Sequence, residues 1–64
     1  MIKEGNKIKL KTGEIALVAE VLEENVAYIA EIFKIGEGVS IDQVFHKDIA
    51  SVFIETEHPL AEAI

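Results

Sequence analysis

Lys7, Lys9 and Lys11 stand at every second position of "NKIKLK", and Lys3 lies just upstream. Such a cationic group could hold a phosphate backbone or an acidic protein. Alternation with Ile8 and Leu10 gives a simpler reading, in which the lysines are the wet side of a half-buried strand. Base stacking needs aromatic rings beside the charges. This segment has none, so Tyr28 and Phe33 would have to approach from another strand. Overall charge also opposes nucleic acid: the formal net charge is −6 over 64 residues. Residues 1–12 carry four lysines against Glu4, or +3, and the remainder carries Lys34 and Lys47 against eleven acids, or −9. An acidic body repels phosphates at long range, and would suit a basic protein partner. Nucleic-acid binding through Lys3, Lys7, Lys9 and Lys11 therefore stands as the alternative function.

Other chemistry has less to work with. His46 and His58 are the side chains that titrate near neutral pH. Zinc needs three or four convergent ligands, and neither "HKD" at 46–48 nor Glu55, Glu57 and His58 has an established metal spacing. Surface histidines are the simpler reading, with His46 able to brace the turn that contains Asp48; a ligand at His46 and Asp48 stays open. Ser40 and Ser51 lie outside any Gly-x-Ser-x-Gly elbow, and there is no cysteine. "KIGEGVS" has Gly-x-Gly without a third glycine or a strand-to-helix setting, so it reads as a hairpin tip and not as a phosphate loop. Its exposure makes it a contact loop. No catalytic residue, metal or cofactor is expected, and the protein is read as no enzyme.

The elements that position these residues are short. Lys7 to Lys11 is a strand, and Thr12-Gly13 a two-residue turn. That register sets Lys11 opposite Glu14 and Lys9 opposite Ala16. "IALVAEVL" at 15–22 is a second strand, "EEN" at 23–25 interrupts it, and "VAYIAEIF" at 26–33 is a third. Residues 14–33 also satisfy a helical spacing through Ile15, Val18, Leu22, Val26, Ile29 and Phe33. Their β-branched content and the polar interruption favour two strands. A loop at 34–40 leads to a strand at 40–47 with Ile41 inward, and Val44 or Phe45 as its other inward residue. A short turn at 47–51 and a strand at 51–57 follow, and Pro59 ends the pattern. One domain at 1–57 and a tail at 58–64 are expected. A chain this short buries only about 60% of its unfolded surface, though half of its residues are apolar. No run approaches the roughly 20 apolar residues of a membrane helix, and no signal-peptide pattern is present; a cytoplasmic location is the default.

Gly5, Ile8, Leu10, Gly13, Val18 and Val21 match the opening of small bacterial SH3-like barrels, including KOW-type domains, and Asp48, Ile49 and Val52 match their closing turn and last strand. The chain resembles that family over about residues 5–56. The resemblance implies an all-β fold: a small, strongly bent, five-stranded antiparallel SH3-like barrel with a short 3-10 turn before the last strand. Asn6 stands where the family has an aspartate, and the basic loop and second glycine of nucleic-acid-binding KOW domains are missing.

The middle strands are more apolar than one buried face requires. Simple alternation turns Ile15, Leu17, Ala19 and Val21 inward and leaves Ala16, Val18 and Leu22 outward. A tight barrel or a β-bulge would hide part of the excess, and a homo-oligomer or partner protein the rest. The expected function is a non-catalytic protein-interaction or accessory module that self-associates or binds a partner. Val18, Leu22 and Ile29, with Gly36, Glu37 and Gly38 of the loop, are its candidate contacts.

Overall fold

The computed structural model describes residues 1–54. It is all-β: strands β1 (Lys7–Leu10), β2 (Ile15–Glu23), β3 (Ala27–Lys34), β4 (Gly38–Phe45) and β5 (Ile49–Phe53) form one antiparallel sheet. The strand order is β4-β3-β2-β1-β5. A 3-10 turn at His46–Asp48 precedes the last strand. Residues 14–33 are two strands and not one helix. The expected tail at 58–64 and the last part of the expected 51–57 strand lie outside the described residues. No helix among the described residues is long and apolar enough to cross a membrane.

The two edge strands, β4 and β5, are consecutive in sequence and joined by those three residues alone. Four inter-strand gaps in a flat sheet measure about 19 Å, while three residues of 3-10 helix rise only about 6 Å. The sheet must therefore curl until its edges approach. Backbone bonds fix both ends of the connector: His46 N donates to Val26 O at 2.8 Å, and Lys11 N donates to Asp48 O at 2.9 Å. One end is thereby tied to the β2–β3 turn and the other to the β1–β2 loop. Among the described residues the two edges do not pair with each other, so the sheet of the expected strongly bent barrel is not closed.

The first hairpin departs from the expected register. Leu10 N donates to Glu14 O and Gly13 N donates to Leu10 O, both at 2.8 Å, closing a three-residue loop with Gly13 at φ +99°. Only glycine takes that conformation without strain. Lys9 consequently lies opposite Ile15, and Ile8 opposite Ala16. A slip of one residue exchanges the faces of a strand. Ala16 and Val18 therefore point into the core, and Ile15 and Leu17 point outward. A bulge between Val18 and Glu20 then leaves Ala19 as the extra residue, and Val21 returns to the inner side opposite Tyr28. A second shift makes Leu22 the extra residue before Glu23. Ile41 is also reversed: it pairs with outward Glu31 and is 66% exposed, while Val44 turns inward.

Ile8, Leu10, Ala16, Val18, Tyr28, Ala30, Ile32 and Val44 form the core with Ile2. Its two central alanines, Ala16 and Ala30, are completely buried on neighbouring strands. Small side chains on the concave side let the sheet curl tightly, and Tyr28 fills the remaining space.

The register makes a direct prediction. Val18→Ala, which empties a core position, should cost about 2 kcal/mol, and Leu22→Ala no more than about 0.5 kcal/mol. Urea unfolding of both variants measures this; equal losses would contradict the inner placement of Val18.

Candidate contact surface

Residues paired directly across an antiparallel sheet share a face. Following the pairs outward of the core gives two complete rows. One runs Phe53, Lys7, Leu17, Glu31, Ile41 from β5 to β4; the next runs Ser51, Lys9, Ile15, Phe33, Val39. Phe33 is 40% exposed and Val39 55%, and Ile15, Leu17 and Ile29 are partly covered by their neighbours. This apolar surface lies over the middle of the sheet with Lys7 and Lys9 along its β1 side.

The contact residues read from the sequence divide between the two faces. Val18 is corrected: it is 2% exposed in the core, because the three-residue loop reverses β2. Leu22 is 48% exposed at the second bulge, away from both rows. Ile29 does lie on the outer side, opposite Glu20 and Gln43. Gly36 and Glu37 form the β3–β4 turn with Ile35, and Gly38 opens β4 opposite Lys34. Glu37 N donates to Lys34 O at 3.0 Å, which presents Ile35 at the tip fully to solvent. Ile15, Leu17 and Ile41 were expected inward and lie outward, where Phe33 and Val39 join them. For Ile15 and Leu17 the signal was Gly13 as the last residue of a three-residue loop.

The lysines have local roles. Lys7 Nζ sits 5.2 Å from the Phe53 ring centroid, within the range of a cation–π contact. Lys9 faces outward between Ser51 and Ile15. Lys11 is in the loop, where its backbone N–H holds Asp48, and it does not face Glu14. Lys3 N–H donates to Asn6 Oδ1 at 2.8 Å. Asn6 thus accepts the turn hydrogen bond through its amide oxygen, as an aspartate carboxylate would. Glu14 instead meets Lys34 at 3.2 Å and takes a 3.0 Å bond from the Thr12 hydroxyl. The hydrogen bond from Lys34, then that from Thr12, hold the Glu14 carboxyl below its usual range.

His46 braces the connector. Its Nδ1 lies 2.8 Å from the hydroxyl of Tyr28, whose ring is fully buried while His46 is exposed. The pair satisfies the buried Tyr28 hydroxyl and anchors the 3-10 turn from inside. Asp48 contributes its backbone carbonyl, and its side chain approaches Lys47 at 3.8 Å. No group of three or more His, Asp or Glu suited to a metal occurs among the described residues; His58 lies outside them. Comparison with protein-family models, curated proteins and solved structures gives no match.

Two outcomes follow. Tyr28→Phe should cost about 1 kcal/mol, and a double-mutant cycle with His46→Ala should recover most of it as coupling; additive losses would remove the bond from the account. Glu14 is stabilised as a carboxylate in the folded state. The stability advantage over Glu14→Gln should therefore be full above the unfolded carboxylate pKa and fade as pH falls through the lower folded value. An advantage unchanged down to strong acid would refute the pair.

Proposed function

We propose that this chain is a non-catalytic, cytoplasmic protein-interaction module of SH3-like type, whose contact surface is the outer face of β1–β3. The observation that carries this reading is the pair of cross-strand rows, which place Ile15, Leu17 and Phe33 side by side on a face that the core does not use. Scattered exposed apolar residues are ordinary, whereas a contiguous patch rimmed by charges marks an interface. Lys7 and Lys9 form one rim, and Glu31 interrupts the patch from the other side. The turn at Ile35–Glu37 adjoins the Phe33–Val39 pair and extends the same surface.

Nucleic-acid binding is the weaker reading. Of the four lysines, only Lys7 and Lys9 lie side by side on the outer face, with one ring, Phe53, beside them. They border an apolar surface, which suits protein more than phosphate.

A photo-reactive side chain at position 17, introduced in living cells, tests the proposal. It should give a defined protein adduct that Phe33→Asp suppresses, while the same group at Thr12 gives none. Equal adducts at both positions, or none at either, would reject the outer face as a contact surface.

A further inference from the structure

The first outer row has a chemical symmetry about β2. Lys7 lies on one side of Leu17 and Glu31 on the other. The second row places Lys9 on one side of Ile15 and Phe33 on the other. Resting on the contact surface proposed above, we infer that its partner is a second copy of the chain, docked face to face by a two-fold axis parallel to the strands and passing over Leu17 and Ile15.

Such an axis lies in the plane between the two sheets. It superposes β2 on β2 and exchanges left with right, so β1 of each copy meets β3 of the other. Leu17 then packs on the partner's Leu17, and Ile15 on the partner's Ile15. Lys7 meets the partner's Glu31, and Glu31 meets the partner's Lys7. Lys9 comes over the partner's Phe33 ring, an arrangement of cation–π type. The other in-plane axis, perpendicular to the strands, would set β1 on β1 and bring lysine against lysine. The charge pattern selects one isologous arrangement out of two. Sheets packed in this way lie about 10 Å apart with their strands roughly aligned. The curl of each sheet confines the contact to the three middle strands, which keeps the interface small.

Within one chain, Lys7 and Glu31 stand two strands apart, at about 10 Å. Among the described residues neither takes part in an ion pair. Across the proposed axis each gains an opposite charge, and this happens twice per dimer.

Complementary charge reversal tests the arrangement by sedimentation velocity at concentrations up to about 1 mM. Wild type should show a monomer–dimer equilibrium. Lys7→Glu alone sets carboxylate against carboxylate, Glu31→Lys alone sets ammonium against ammonium, and each should weaken dimerisation at least about tenfold. An equimolar mixture of the two variants should recover dimers, all of them heterodimers by native mass spectrometry, because each carries the charge that the other lacks. Recovery also shows that both variants are folded. Wild type that stays monomeric throughout, or a mixture that stays as dissociated as its components, overturns the inference. The contact surface itself survives that outcome if the adduct at position 17 has the mass of a different protein.

Discussion

Three residues joining the two edges of a five-stranded sheet constrain everything else in this molecule. His46–Asp48 must carry the chain from β4 to β5, and no flat sheet allows so short a passage. The curl that results needs a concave side lined by small groups, which Ala16 and Ala30 supply. It needs bulges where a strand must turn more sharply, and β2 has two of them against β3. It also needs the connector held in place, through the backbone bonds to Val26 and Lys11 and the Tyr28–His46 pair. The single buried hydroxyl among the described residues is thus spent on the segment whose geometry is most demanding.

A curled sheet of this size has a small inside and a large outside. Among the described residues the core cluster is nine side chains, and it absorbs only part of an apolar content that reaches half the chain. Some of the residues left over, such as Leu22, Val26 and Phe45, stand apart, but others share one face. Cross-strand register gathers Ile15, Leu17 and Phe33 on the convex face and arranges lysine and glutamate on opposite sides of them. Marginal stability is the ordinary condition of a domain so short, and covering this face would offset it. Fold and proposed function are linked at this point: the same register that fills the core sets out the contact surface.

Much of this was legible in the residues. Lysine alternation gave β1, and the Glu-Glu-Asn interruption gave the second turn. The 3-10 turn before the last strand was implied by the resemblance to SH3-like barrels; the residues alone suggested a short turn at 47–51, and it lies at His46–Asp48. Asn25 takes the positive φ that such an interruption suggests. The faces of β2 were not legible by simple alternation. "TG" admits either a two-residue turn or the end of a three-residue loop, and the choice reverses every side chain after it. The bulge at Ala19 hides the error, because apolar residues then occupy both parities of "IALVAEV". An excess of apolar residues was visible in the sequence; which of them face water depends on hydrogen bonds that pattern alone does not encode. For the same reason Val18 was placed on the contact face and Leu17 in the core. The Tyr28–His46 bond joins residues 18 apart in the chain and has no local signature.

The central claim is that β2 turns Val18 inward and Leu17 outward, since the core and the contact surface both follow from it. Methyl-resolved nuclear Overhauser spectroscopy tests it most directly. Cross-peaks should link the Val18 methyls to Ala30 and Ile8, and the Leu17 methyls to the Lys7 and Glu31 side chains. Leu17 methyls in contact with the Tyr28 ring and Ile8, with Val18 beside Lys7, would contradict the register and the surface built on it.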